Sequence, residues 1–187
     1  MNNKKILFIT QAAMIAAIYV VLTYITNAFG LASGTIQVRI SEALTVLPYF
    51  TPAAIPGLAI GCFISNLVTG CAVMDIIFGS VATLLGACGT YLLKNHKFAL
   101  TLPPVIANSI IVPFILVYVY GVPDVIFKGV NVTILFNMAT VCVGEIISCC
   151  ILGTVLLQAL GKYKHQIFGQ CATVSRYVIQ IYKIRSI

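Results

Sequence analysis

The sequence predicts an all-α integral membrane protein, and two observations carry that prediction. Hydrophobic residues make up 60% of the 187 residues, charged residues only 8%, and the mean hydropathy is +1.07. Soluble domains carry about 25% charged residues. The apolar residues also fall into stretches long enough to cross a bilayer as helices, which takes about 20 residues. We expect one membrane domain over residues 1–163 and a cytoplasmic tail over 164–187, whose mixed basic and apolar residues are typical of a segment lying on a membrane surface.

Five apolar stretches follow one another along the chain, separated by charged residues, glycines or prolines. They cover residues 6–28, 41–68, 75–93, 100–120 and 130–160. The first follows Lys4 and Lys5 but is longer than the apolar core of a signal peptide, about 7 to 15 residues, so we expect a retained helix.

Lysines cluster at three points and predict the orientation of the chain. The clusters are Lys4 with Lys5, Lys94 with Lys97, and Lys162 with Lys164. Dense Lys and Arg are typical of cytoplasmic segments, which places the N-terminus inside. An even number of crossings must then separate Lys5 from Lys94, so the stretch 41–68 contributes either none or two.

Three prolines break that stretch near its middle: Pro48, Pro52 and Pro56. Each proline removes a backbone donor, which favours a short helix over residues 41–50 and another over 53–67. The prediction is a bundle of six transmembrane helices with a short, proline-broken second helix and both termini cytoplasmic. A re-entrant loop that never crosses would keep the same parity with four full spans. Both alternatives place Arg39 and Glu42 on the outer side.

Three of the four acidic residues are candidates for function because a charge at membrane depth costs about 2.5 to 3.5 kcal/mol on insertion scales. We expect the fourth, Asp124, to be solvated on the outer side. Glu145 lies in the middle of the last helix, on one stripe with Asn137. Its alternative role is a protonated hydrogen bond to a neighbouring helix. Asp75 could cap its helix or contact a ligand. Glu42 could favour the positive end of its helix, with Arg39 as its ion-pair partner.

Amide side chains in the apolar spans extend this set, although each amide alone is typical of helix packing. Under the predicted topology, the acids and amides converge on the outer half of the bilayer. Carboxylates and amides suit a ligand rich in N–H donors, such as a guanine-like ring, because a carboxylate accepts two parallel N–H bonds. Tyr49, Phe50 or Phe78 could stack on such a ring. The candidate site residues are Arg39, Glu42, Asn66, Asp75, Asn108, Asn137 and Glu145.

Neither enzymatic chemistry nor ATP hydrolysis finds support in the sequence. The seven cysteines lack a C-x-x-C spacing, and both histidines, His96 and His165, lie in basic segments. This pattern indicates no metal site and no disulfide framework. A Walker A motif and a glycine-rich nucleotide loop are also missing from the sequence. We therefore expect no resident cofactor, no metal and no nucleic-acid partner.

The first helix carries two small-xxx-small pairs, Ala12 with Ala16 and Ala13 with Ala17. Such pairs allow close approach of two membrane helices. The second helix could belong to a partner protein or to this chain, and the pattern alone favours neither.

Three stretches resemble the queuosine-precursor transporter (QueT) family: VRISEAL, LPYFTPAAIPGLAIGCFISN and DIIFGSVATLLGA, together with the alanine pattern of the first helix. The resemblance covers roughly residues 5–162. It implies a substrate-binding S component of an energy-coupling-factor (ECF) transporter in a bacterial plasma membrane. Such a component binds a 7-deazaguanine-type precursor at its outer face and joins a transmembrane coupling subunit and two ATPase subunits.

The resemblance also implies that Ala12, Ala13, Ala16 and Ala17 contact the coupling subunit. Two other functions remain open at this point. One is an S component for another vitamin, and the other is a facilitator that works without partners.

Overall fold

The computed structural model describes residues 3–30, 37–96 and 99–163; the predicted tail, 164–187, lies outside these residues. Helical segments make up most of the described chain. They are α1 (Asn3–Ala28), a 3₁₀ segment (Ile40–Tyr49), α2 (Ala54–Val68), α3 (Val73–Leu92), α4 (Leu102–Tyr118) and α5 (Thr133–Tyr163). Within α5, the α-helical part Thr133–Glu145 continues into a π-helical part, Ile146–Leu152.

Three of these helices, α1, α3 and α5, are long and apolar enough to cross a membrane, and α2 and α4 are shorter apolar helices. Large apolar side chains on their outer faces are exposed, for example Phe63 and Leu85. The predicted all-α membrane fold class is confirmed. Six complete crossings and the cytoplasmic location of both termini stay predictions.

The predicted short second helix is present at almost the predicted bounds, but it is a 3₁₀ helix and not an α-helix. At about 2.0 Å rise per residue, its ten residues reach about 20 Å, where an α-helix would reach about 15 Å. Every residue from Ser41 to Pro48 is buried. Protein therefore surrounds the segment, as expected for irregular backbone at membrane depth.

The 3₁₀ segment runs antiparallel to α1. Near the C-terminal end of α1, the Thr23 hydroxyl donates to Ser41 Oγ at 2.9 Å. Just beyond the other end of the segment, the Thr51 hydroxyl donates to Gln11 Oε1 at 3.0 Å. The segment thus descends along about three turns of α1, from the level of Thr23 to that of Gln11.

Helix α2 runs parallel to α1 and packs closely on it through glycines. A Cβ atom at Gly57 would lie 2.7 Å from the Ala12 carbonyl oxygen, and one at Gly61 would lie 3.1 Å from Ala16 Cα. These two glycines form a GxxxG pattern, which allows two helix backbones to approach. The apolar core next to this contact includes Ile15 and Leu58.

Helices α3, α4 and α5 complete the bundle, each antiparallel to the one before it. Gly86 of α3 contacts Pro104 near the start of α4. The Cys150 thiol of α5 approaches Thr101 Oγ1 at 3.3 Å. Between α4 and α5 lies a hairpin of two strands, β1 (Ile126–Phe127) and β2 (Val130–Asn131). Polar residues of several of these helices lie close together near the end of the bundle where α1 finishes and α3 begins.

Candidate functional site

A cavity of about 380 Å³ opens at the end of the bundle where α1 finishes and α3 begins. We call this the cavity end. Ligand pockets in proteins have volumes of about 300 to 1,000 Å³, so a single heterocyclic base fits. The polar and charged side chains that line the cavity are Thr23, Thr26, Asn27, Gln37, Arg39, Ser41, Thr69, Asp75 and Tyr120.

Beneath this cavity, Glu42 is fully buried at the start of the 3₁₀ segment. The Tyr19 phenol donates a hydrogen bond to Glu42 Oε1. The Thr83 hydroxyl approaches the same oxygen at 3.5 Å. The other oxygen, Oε2, is buried and has no hydrogen-bond partner among the described residues. An acceptor is therefore left open in the interior.

Glu145 of α5 lies next to Glu42, as the sequence predicts. The side-chain ligand atoms of Glu42, Glu145 and Cys149 lie within 4.8 Å of one another, and all three residues are buried. The Cys149 thiol donates to Glu145 Oε2 at 3.3 Å. Such a group of oxygen and sulfur atoms can hold a cation. We call Glu42 and Glu145 the carboxylate pair.

Arg39 lies between the cavity and the carboxylate pair but forms no ion pair with either carboxylate in the described part of the chain. Its Nη2 donates to Asn66 Oδ1 at 2.8 Å, and its backbone N–H donates to Ser148 Oγ at 3.1 Å. Asn66 Nδ2 in turn approaches the Asp75 carbonyl oxygen at 3.4 Å. The alternative reading of Arg39 as the ion-pair partner of Glu42 is therefore wrong.

Asp75 lines the cavity from the first turn of α3. The N-cap of that helix is Ala72, so the capping role considered for Asp75 is wrong. Asp75 Oδ2 instead accepts a hydrogen bond from the Tyr120 phenol at 3.1 Å. Partial burial, aided by the negative charge of Asp75, raises the pKa of Tyr120 to about 12, so the phenol remains a donor at neutral pH.

Asn108 of α4 approaches Glu145, and its side chain is 2% exposed. Its Nδ2 atom has no hydrogen-bond partner among the described residues, and the hydroxyl of the adjacent Ser109 has none either. Buried polar groups in proteins are nearly always paired. The interior beneath the cavity thus presents an open donor at Asn108 and an open acceptor at Glu42.

The structure does not bring Asn137 into this cluster. Its Nδ2 donates to the Thr133 carbonyl within the same helix at 2.8 Å, and it lies eight residues, about 12 Å, from Glu145. The proposed stacking aromatics also lie elsewhere. Phe78 is 47% exposed, and Tyr49 and Phe50 line a separate cavity at the other end of the bundle.

The alanine pattern of α1 divides into two faces. Ala12 and Ala16 contact the glycines of α2 inside this chain, whereas Ala13 and Ala17 are exposed. Only the second pair is accessible to a partner helix. Binding of the coupling subunit through these residues stays a prediction.

Several residues of the site were not predicted from the sequence. Tyr19 is one of nine tyrosines and has no local pattern that marks it. Cys149 is not among the candidate residues predicted from the sequence, although its spacing of four from Glu145 places both on one helix face. That spacing is a signal that could have identified it.

These observations define a multi-pass membrane protein with a polar site buried among its helices beneath a cavity. Residues 9–162 match the QueT transporter family, and the chain belongs to that family. It is 36% identical over 85 residues to the queuosine precursor transporter QueT of Lactococcus lactis subsp. cremoris (strain MG1363). That match covers 46% of this chain and about half the length of the relative. No solved structure matches the chain.

Proposed function

We propose that this chain is the substrate-binding S component of an ECF-type importer for a queuosine precursor, a base of the 7-deazaguanine type. Membership of the QueT transporter family and the name of the Lactococcus relative support a transporter of this class. The observation that carries the proposal is the open acceptor at Glu42 beneath a cavity large enough for one base.

The ligand chemistry follows from the side chains around the cavity. A guanine-type base offers adjacent N–H donors along one edge and a carbonyl acceptor beside them. Asp75 at the cavity wall can accept from such donors. Glu42 can accept from a further donor that the ligand carries below the ring, and the Asn108 amide can donate to the carbonyl oxygen. A carboxylate that accepts two parallel N–H bonds favours this base over one that presents acceptors at the same positions.

The cavity end is the outer end of the protein in this proposal. The lysine clusters predict that the N-terminal end of α1 is cytoplasmic, which places the C-terminal end of α1 and the cavity outside. The six helical segments alternate in direction along the chain, which is the arrangement that six crossings of the membrane require.

Movement of the solute across the membrane would then require partner subunits. Nothing in the sequence provides an ATP-binding motif, so ATP hydrolysis is assigned to two ATPase subunits, joined through a transmembrane coupling subunit. The exposed Ala13 and Ala17 provide a small-residue face on α1 where a coupling helix can approach closely.

Two measurements test this function. Mass spectrometry of the purified protein should identify a retained 7-deazaguanine-type base. Uptake of that base should require vesicles that contain the coupling and ATPase subunits as well as this chain. A bound flavin or thiamin in its place would indicate an S component for another vitamin, and uptake by this chain alone would indicate a facilitator.

A further inference from the structure

We propose that the carboxylate pair, Glu42 and Glu145, binds a protonated amine carried by the ligand, so that the site selects a cationic base over a neutral base of the same shape. This inference rests on the proposed function and goes further, because it assigns the charge of the substrate.

The first argument is the charge of the buried site. Glu42 is fully buried and Glu145 is 5% exposed, and their carboxylate oxygens lie within 4.8 Å of each other. Two carboxylates so close in an apolar interior repel each other, and a positive charge beside them relieves that repulsion. The pair is therefore suited to hold a cation.

The second argument is that the nearest guanidinium forms no direct ion pair with these carboxylates in the described part of the chain. Arg39 donates to the Asn66 amide oxygen at 2.8 Å, and its charge acts on Glu42 and Glu145 only through space. The other donors to the pair, the Tyr19 phenol, the Thr83 hydroxyl and the Cys149 thiol, are neutral groups. They satisfy one oxygen each but do not neutralise a carboxylate.

The third argument is independent of charge. Glu42 Oε2 is buried without a hydrogen-bond partner among the described residues. A buried acceptor without a partner is costly, which indicates that this oxygen accepts a hydrogen bond from a bound ligand. An ammonium group brings three N–H donors and one positive charge on a small atom, and so fits an open acceptor within a carboxylate pair.

The cavity provides access for such a group. Ser41, the residue before Glu42, lines the cavity, so the ring of a base there lies close to the carboxylate pair. Arg39 and Asp75 are the charged residues in that lining, so one guanidinium faces the three carboxylates of Glu42, Asp75 and Glu145. The excess negative charge of the site lies below the ring, where a short amine arm of the ligand would reach.

The test compares two bases of equal size that differ in charge: 7-aminomethyl-7-deazaguanine, which is a cation at neutral pH, and 7-hydroxymethyl-7-deazaguanine, which is neutral. Both are titrated calorimetrically into the full chain in detergent. We expect the wild type to bind the amine about tenfold more tightly, because hydrogen bonds between charged groups are roughly twice as strong as neutral ones.

The same preference should fall to within about threefold in Glu42→Gln and in Glu145→Gln, since each substitution removes one negative charge from the pair. Asp124→Asn is the matched control, because Asp124 bonds Asn131 and Thr133 near the hairpin and does not line the cavity. Its preference should equal that of the wild type. Size-exclusion chromatography of each variant checks that it remains folded.

Equal binding of the two bases by the wild type would overturn the inference without any variant, and would leave the proposed function intact. Tighter binding of the neutral base would overturn it as well, and would indicate that a metal ion or a second cation already occupies the pair. A preference that survives in both folded variants would also contradict it. Failure of both bases to bind would refute the proposed function itself.

Discussion

The phenol of Tyr19 donates a hydrogen bond to the carboxylate of Glu42, joining the middle of α1 to the start of the 3₁₀ segment in the interior of the bundle. Neither side chain is accessible to solvent. The contact therefore holds an acidic side chain in place where lipid and protein offer few other donors. It also fixes which oxygen of Glu42 remains open to a ligand.

Replacing Tyr19 by phenylalanine should destabilise the protein by about 1 to 3 kcal/mol, because Glu42 then loses its main donor in a buried position. Thermal unfolding in detergent measures this loss. Tyr24→Phe is the matched control, since Tyr24 lies on the same helix and is 62% exposed. An equal fall in melting temperature for both variants would show that the buried hydrogen bond has no special role.

Asp75→Asn should weaken binding of a 7-deazaguanine-type base by about 1 to 3 kcal/mol, because the amide offers a donor where the ligand requires an acceptor. Calorimetric titration measures the affinity. Asp124→Asn removes the same charge outside the cavity and should leave the affinity unchanged. Wild-type affinity in a folded Asp75 variant would place Asp75 outside the ligand contacts.

The pH dependence of binding should show no contribution from Tyr120 between pH ~6 and ~9, although an unperturbed tyrosine begins to ionise near the upper limit. Partial burial and the neighbouring Asp75 raise the pKa of Tyr120 to about 12, and a raised pKa keeps the phenol protonated as the pH increases. The pH profiles of the wild type and of Tyr120→Phe should therefore run parallel. A fall in wild-type affinity near pH ~9 that is missing from the variant would contradict this.

The two alanine faces of α1 should separate folding from assembly. Ala16→Leu should destabilise the isolated chain by about 1 to 3 kcal/mol, because Ala16 packs against Gly61 and leaves no room for a larger side chain. Ala17→Leu, on the exposed face, should preserve folding and ligand binding but prevent capture of the coupling subunit in a pull-down. If the Ala17→Leu variant captured the coupling subunit normally, the surface that binds this subunit would not include Ala17.

Gly144→Ala should disrupt the site although it adds only a methyl group. A Cβ at Gly144 would overlap the carbonyl oxygen of Gln37, and Gln37 is one of the residues that line the cavity. Displacement of α5 there would move Glu145, so both melting temperature and ligand affinity should decrease. Gly161→Ala is the control, because nothing lies within 4 Å of a Cβ at that position. Unchanged ligand affinity in Gly144→Ala would show that the backbone at Gln37 can shift to accept the methyl group without displacing Glu145.

Much of the helix pattern could be predicted from the sequence because long apolar stretches and prolines set the ends of the elements. The first stretch, predicted over residues 6–28, is α1 (Asn3–Ala28), and the predicted break in the second stretch lies between Tyr49 and Ala54. The 3₁₀ form of the second segment was not predictable. Over ten residues, periods of 3.0 and 3.6 give nearly the same pattern of apolar residues.

The site was partly predictable because acidic residues are rare in this chain. The cost of placing a charge at membrane depth predicts a role for Glu42 and Glu145, and the fold brings them together. The spacing of Asn137 from Glu145 predicts a shared site, but the Asn137 amide donates to a carbonyl of its own helix. Tyr19 could not be identified, since its role depends on the position of another segment and not on its neighbours in the chain.

The 3₁₀ segment has a consequence for how the protein enters the membrane during synthesis. A stretch of ten residues that contains Glu42 and Pro48 is too short and too polar to partition into lipid by itself. Its insertion must therefore be assisted by α1 and α2, which flank it in the chain. Glu42 becomes fully enclosed only when α5 has been made and delivers Glu145 and Cys149. A nascent chain halted before α5 would lack both of these side chains, which lie beside Glu42.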